Sequence, residues 1–231
     1  STDPGETALT ACREFIMEEL EDVAYIAGTG LPLIGIGGTA RTFAKMDQRA
    51  TGYELQKIHN YILSYDNFME LARTLTNTPA TERKKIPGLS ADRADLILAG
   101  TAVIEALFEM TGSSEMIISG CGLREGLFFE YYAALNQADS PCFDDILDAS
   151  IANYLKTVPG MNPAHIRQVT RISELLFDLL QPLHGYGPKE KRLLVTAAKM
   201  HDVGKVINYY DHARHSAFII GHAPLYGLTQ M

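Results

Sequence analysis

Two short runs in this sequence have the residue types and spacing for chemistry on phosphate or with a metal ion. The first is Gly35-Ile36-Gly37-Gly38-Thr39-Ala40-Arg41. It follows Leu31-Pro32-Leu33-Ile34, which reads as a short buried strand, and precedes Thr42-Phe43-Ala44-Lys45, which reads as the start of a helix. A strand, a glycine turn and a helix N-terminus make an anion cradle. The glycines let backbone approach a ligand, and the helix end offers N–H groups without partners. Such turns also carry glycines for packing alone, and this turn by itself does not separate the two readings. The second run is His201-Asp202-Val203-Gly204-Lys205. Imidazole nitrogen with carboxylate oxygen suits a divalent transition metal. Adjacent helical residues point about 100° apart, so the pair needs ligands from neighbouring helices. His165, near the start of an earlier helix, is a candidate third ligand beside His201 and Asp202. His212 and His215, at three-residue spacing, share a face. The alternative is a set of polar bridges between helices, with no metal.

The rest of the sequence must position these groups. Its 231 residues are 46% hydrophobic and 21% charged, enough for one or two domains with buried cores. No apolar run approaches the roughly 20 residues of a membrane span. Ser1-Thr2-Asp3-Pro4-Gly5 is neither a signal peptide nor a basic transit segment, and the missing initiator Met suggests a chain processed or cut from something longer. Cys12, Cys121 and Cys142 are too widely spaced for a disulfide framework or a zinc knuckle, which points to a reducing cytoplasm and to small buried side chains. The net charge of −8 argues against broad nucleic-acid binding. A polyanion is still accommodated by a local basic patch, either Arg83-Lys84-Lys85 with Arg93 or Lys189, Lys191 and Arg192, although short charge runs are commonly solvated surface.

Periodicity divides the chain into an α/β block over residues 1–136 and a helical block over 137–231, with a turn-forming run at 136–141 between them. In the first block, a helix over 6–27 faces inward with Leu9, Cys12, Phe15, Ile16, Leu20 and Val23. The helix after the glycine turn ends near Asp47, and residues 49–57 read as an irregular loop. Ile58 to Leu63 reads as a strand, and Ser64 caps a helix through Leu75. Thr81 starts one helical turn before Pro87-Gly88, and Ser90 caps a longer helix through Met110. Residues 115–119 form a second buried strand, which leads into Gly120-Cys121-Gly122 and a helix over 123–135. In the second block, Ile146, Leu147, Ile151, Tyr154 and Leu155 suit an amphipathic helix. Asn162-Pro163 starts a helix that buries Ile166, Val169, Ile172, Leu176 and Leu179. Further helices start at Pro188, running through about Val203, and near His212.

Three runs in order resemble the exopolyphosphatase/guanosine pentaphosphate phosphohydrolase family: Gly35 to Arg41, Ile86 to Ile97 with Ser90 and Arg93 inside it, and Ser119-Gly120-Cys121-Gly122-Leu123-Arg124-Glu125-Gly126. The second block, through residues 197–205 and 209–216, resembles the helical HD-type domain of longer members. The resemblance implies a ribonuclease-H-like, actin-like ATPase lobe followed by an all-α HD-like domain. It implies Mg²⁺-dependent removal of the terminal phosphate from inorganic polyphosphate or guanosine pentaphosphate, in a cleft between two lobes. No strand here leads into the first lobe's Asp-x-Gly type turn, and its Asp-Ile-Gly-Gly-Gly-Ser type turn and its water-positioning glutamate do not occur. Catalytic residues are therefore expected in a missing first lobe, and this segment alone is expected to be inactive. Gly37, Gly38, Thr39 and Arg93 are the phosphate-binding candidates that the resemblance implies, with Arg124 behind them. Ion pairs with Asp95 or Glu125 are the competing roles for the two arginines. The HD-like resemblance implies a transition metal at His165, His201 and Asp202. Active HD hydrolases add a later aspartate, and only Asp211 follows here, too close to play that part. A homodimer is the expected assembly. Two other readings stay open: a metal-dependent HD-type phosphohydrolase, and a non-catalytic nucleotide-sensing module.

Overall fold

The short apolar runs pair into one three-stranded sheet. In the computed structural model, which describes residues 6–55, 57–135 and 145–228 and side chains from Thr10 onward, β1 (Leu33–Gly35), β2 (Tyr61–Ser64) and β3 (Glu115–Ile118) stand in the order β1-β3-β2. β1 is parallel to β3, with Leu33 opposite Met116 and Gly35 opposite Ile118, and β2 is antiparallel to β3. Tyr61 and Leu63 on β2, and Met116 and Ile118 on β3, are buried, the two-residue period of a sheet with one covered face.

Helices α2 (Gly38–Thr51), α3 (Tyr65–Asn77) and α5 (Ile97–Thr111) share this core. Phe43, Phe68 and Phe108 meet at its centre, with ring centroids 4.8 and 5.2 Å apart. The Ser64 hydroxyl accepts from the Asn67 N–H and caps α3, as its position predicts. The buried Asp47 carboxylate accepts from the Tyr61 hydroxyl at 2.8 Å and the Asn67 amide at 3.0 Å, joining α2, β2 and α3.

Several expectations shift. α2 begins at Gly38 and runs to Thr51, so residues 49–51 are helical and only the residues after them form the loop. Ser90 does not cap α5: residues 91–93 make a separate 3₁₀ turn and α5 begins at Ile97, where its apolar side chains reach the core. The first helix is α1 (Glu6–Glu19), continued as a 3₁₀ segment over Leu20–Ile26. On α1 Ile16 is buried but Phe15 is exposed, while the Leu9 side chain lies outside the described residues. Cys12 and Cys121 are half-buried rather than buried, and Cys142 lies outside the described residues. Arg83 leaves the expected basic patch altogether. It is buried in α4 (Ala80–Arg83), and its Nε donates to the Leu75 carbonyl at 3.0 Å. β3 leads into α6 (Leu123–Leu135), in which only Ala133 is buried.

The chain divides into two compact units between residues 139 and 140, and the run at 136–141 lies outside the described residues. The second unit is helical: α7 (Ile146–Thr157), α8 (Pro163–His184), α9 (Pro188–Met200), a 3₁₀ turn over Val203–Val206, and α10 (His212–His222). Leu147, Ile151, Met200, Val203 and Leu225 form its core. Asn162 caps α8 by accepting from the Ala164 and His165 N–H groups, with Pro163 behind it. The α8 stripe differs from expectation. Ile166 is buried, but Ile172, Leu176 and Leu179 are 45%, 51% and 75% exposed, because α9 covers α8 along one side only. No described helix is long and apolar enough to cross a membrane.

Candidate functional site

Parallel β1 and β3 each end in a glycine turn that opens a helix, so two strand–turn–helix units stand side by side at one end of the sheet. This is where open α/β sheets hold ligands. The two turns differ in what they offer.

The β3–α6 turn is closed on itself. The Gly120 N–H donates to His59 Nδ1 at 3.1 Å, the Cys121 N–H to the Ser119 hydroxyl at 3.1 Å, and the Gly122 N–H to Glu125 Oε2 at 2.7 Å. The Gly122 N–H, with the N–H of Glu125 itself, holds the Glu125 carboxyl below its ordinary pKa. Burial, with the charge of Lys57, pushes His59 below the usual histidine value. The neutral ring keeps a lone pair on Nδ1 for Gly120. Arg41, in the first turn of α2, reaches across. Its Nε donates to the Ser119 carbonyl at 3.2 Å and its Nη2 to the Cys121 carbonyl at 3.1 Å. This turn is a clamp whose donors are spent.

The β1–α2 turn is open. Gly37 stands at the N-cap with φ 97, a conformation that favours glycine. The first backbone bond of α2 runs from the Arg41 N–H to the Gly37 carbonyl at 3.3 Å, so the N–H groups of Gly38, Thr39 and Ala40 precede the helical ladder. The Arg93 guanidinium lies directly against Gly38, in the space that a side chain there would fill. Among the described residues Arg93 makes no ion pair with Asp95. The Thr39 side chain packs toward α5, where a Cβ on Gly100 would lie 2.8 Å from its hydroxyl. The structure thus brings together Gly37, Gly38, Thr39 and Arg93, four residues nearly 60 positions apart at their extremes. Arg124 is exposed on α6.

The helical unit gathers a second set. His165 Nε2, His201 Nε2 and an Asp202 carboxylate oxygen all lie within 4.8 Å of one another. Asp202 is buried, with an 8% exposed side chain. Burial pushes its pKa up. The hydrogen bond from Lys205 at 2.6 Å, with the charges of His201, Lys205 and His165, outweighs that and leaves it lowered. Ser216 fixes the turn: its hydroxyl donates to the His201 carbonyl at 2.6 Å and accepts from the Gly204 N–H at 2.8 Å. That pins α10 to the His-Asp run.

Comparison with known proteins decides the family. The Ppx/GppA phosphatase family model matches residues 1–134, and the model for domain III of the same phosphatases matches residues 150–231. The chain belongs to the Ppx/GppA phosphatase family. A guanosine-5'-triphosphate,3'-diphosphate pyrophosphatase of Vibrio vulnificus is 26% identical over 232 residues, covering 97% of this chain and 42% of the relative. Its counterpart in Vibrio cholerae is 28% identical over 204 residues, covering 85% and 37%. The chain therefore spans about two fifths of the length of the curated relatives it matches. Among solved structures, the Aquifex aeolicus Ppx/GppA family member superposes with a TM-score of 0.51 at 28% identity, covering 61% of this chain and 44% of that one. An exopolyphosphatase from Cytophaga hutchinsonii superposes with a TM-score of 0.51 at 26% identity, covering 59% and 45%. The small mixed sheet with its helices fits an actin-like lobe of this family, followed by a helical domain.

Sequence reasoning missed the clamp. Arg41 stood inside the glycine motif, but nothing in the sequence pairs it with carbonyls 78 and 80 residues away. His59 lies in no motif, and Glu125, though inside the Ser119–Gly126 run, gives no sequence signal that it accepts from the Gly122 N–H.

Proposed function

We propose that this chain supplies the phosphate-holding face of a hydrolase cleft, and that the complete cleft removes the terminal phosphate from inorganic polyphosphate or guanosine pentaphosphate. The observation that carries the reading is the Arg93 guanidinium seated on Gly38, beside the open N–H groups at the start of α2. Gly37 allows the turn, while Gly38 and Thr39 present backbone N–H groups to phosphate oxygens. Arg93 adds a fixed positive charge and a fork of donors that matches those oxygens. Cleaving a phosphoanhydride asks the protein mainly to position the chain and to neutralise charge on the oxygens, which is what these groups do. Two relatives, one a pyrophosphatase of guanosine-5'-triphosphate,3'-diphosphate and one an exopolyphosphatase, support the substrate class.

Magnesium, which the family implies, finds no ligand set at this turn. It is bordered by N–H groups and a guanidinium, and Glu125 beside the second turn is engaged by Gly122. No step at this surface needs the ion, and its ligands are expected outside it. The attacking water and its base are likewise expected on a partner lobe in the same polypeptide.

The test compares this segment alone with a chain that joins it to a Ppx/GppA first lobe. The segment is expected to release no phosphate from either substrate with Mg²⁺, because half the constellation is absent, while the joined chain turns over. Enzyme-like release by the segment alone would overturn the division of labour.

A further inference from the structure

We propose that the exposed line of α2 beyond its first turn, carried by Lys45 and Arg49, is a track for the distal phosphates of a long inorganic polyphosphate. The track rests on the reading of the Gly38 turn as a phosphate site, and it narrows the substrate class that the turn alone leaves open.

α2 is covered on almost every side. Ala40, Thr42 to Ala44 and Met46 to Gln48 are buried, and from Gly38 to Gln48 the one exposed residue is Lys45. Arg49, one turn further on, is exposed as well. Lys45 and Arg49 follow Gly38 by seven and eleven residues, close to two and three whole helical turns, so they stand on the face of Gly38. At 1.5 Å per residue they lie about 10 and 16 Å along the helix from it. The segment that brings Arg93 to Gly38 docks at Gly88 on the Lys45 backbone, so it runs beside the same line. Arg93, Lys45 and Arg49 form a row of cations that starts at the open turn.

The charge in this row is unspent. Among the described residues, the Lys45 and Arg49 side chains make no ion pair or hydrogen bond. Asp47, the one acidic residue of α2, stands on the opposite face, where Tyr61 and Asn67 donate to it. In a chain of net charge −8, two neighbouring cations without a carboxylate attract an anion from solution. They line a hollow of about 560 Å³ with Tyr53, Ile58 and Gly88. Cations one helical turn apart suit an anion whose charge repeats along a chain. Inorganic polyphosphate is charged at every unit and reaches the turn and the row at once. A nucleoside triphosphate has no phosphates left for Lys45 once its own fill the turn. Contacts joined along one ligand raise its affinity beyond that of either site alone.

The test is calorimetric titration of the full chain with tripolyphosphate, GTP and long-chain polyphosphate, beside NMR of the arginine Nε–H groups. Long-chain polyphosphate is expected to shift both Arg93 and Arg49, and tripolyphosphate Arg93 alone. Lys45→Gln with Arg49→Gln puts uncharged helix formers at two exposed positions, so the fold is expected to hold. It is expected to weaken long-chain polyphosphate about 10-fold and to flatten its log–log salt dependence by about 1–2, as two lost phosphate contacts do. Tripolyphosphate and GTP are expected to change less than about 2-fold, because the row begins about a Debye length from the turn. Lys84→Gln with Lys85→Gln removes the same charge from another exposed patch and is expected to leave all three ligands within that limit. Equal binding of long-chain polyphosphate by wild type and the Lys45, Arg49 variant would overturn the track. So would an equal loss in the Lys84, Lys85 variant, which would make the attraction one of net charge. A wild-type chain that binds tripolyphosphate at Gly38 but gains nothing from a longer chain would overturn the track and leave the phosphate turn standing. One that binds no tripolyphosphate would overturn the phosphate turn, and the track with it.

Discussion

Gly38→Asp is expected to lower phosphate release by the joined two-lobe protein at least about 100-fold, the scale seen when one preorganised donor to a developing oxyanion is lost. The substitution acts twice. Any side chain at Gly38 enters the space that the Arg93 guanidinium fills, and a carboxylate there adds negative charge where phosphate must sit. Gly38→Ala separates the two effects. Its Cβ still displaces Arg93, but the obstacle is the far end of a flexible, exposed side chain, so the protein should fold with stability within about 1 kcal/mol of wild type. Activity is expected to fall in the alanine variant too, though less. The check is phosphate release at saturating substrate beside a urea titration. Full activity in both variants would remove Gly38 and Arg93 from the phosphate site.

A large stability effect is expected at Gly88, which carries no chemistry. Its φ of +88 is one that side chains rarely adopt, and a Cβ there would lie 2.7 Å from the backbone carbonyl carbon and oxygen of Lys45 and the nitrogen of Met46. Backbone inside α2 does not yield as a flexible side chain does. Strained φ costs about 1–3 kcal/mol and overpacking a similar amount, so Gly88→Ala is expected to cost about 3 kcal/mol or more. A urea midpoint shifted by that amount with an unchanged slope would bear this out. A change under about 0.5 kcal/mol would show that the loop moves off α2 at little cost. The position matters to function because the segment from Ile86 to Arg93 delivers the guanidinium to Gly38. Docking Gly88 on α2 therefore fixes where Arg93 enters the site.

What the sequence disclosed and what it withheld follow from the range of the forces involved. Turn and cap chemistry is local, so the strand–turn–helix at Gly35–Gly38, the Ser64 cap and the Asn162-Pro163 start were legible from neighbouring residues. Helix starts set by long-range packing were not. Ser90 has the chemistry of a cap, yet α5 waits until Ile97 because the chain first makes a 3₁₀ turn that places Arg93. Burial failed where an apolar stripe lacks a cover within its own unit, as along α8 at Leu176 and Leu179. The glycine turn and the Ser119–Gly122 turn looked alike as strings. Only the hydrogen bonds separate them: His59, Ser119 and Glu125 consume the donors of one, and Arg93 stands over the other. Likewise the His201-Asp202 pair was visible, but the approach of His165 to His201, 36 residues away, is a tertiary fact with no local signal.

Phosphate is proposed to meet this lobe at the turn opening α2, together with Arg93. The most direct measurement is a tripolyphosphate titration of the chain followed by amide and arginine side-chain NMR, which reads the weak binding expected of half a cleft. Saturable shifts are expected at Gly37, Gly38, Thr39 and the Arg93 Nε–H, with Gly120, Cys121 and Gly122 moving little because their N–H groups are already bonded. Shifts centred instead on Lys84 and Lys85 or on Lys189, Lys191 and Arg192, with the Gly38 turn silent, would contradict it.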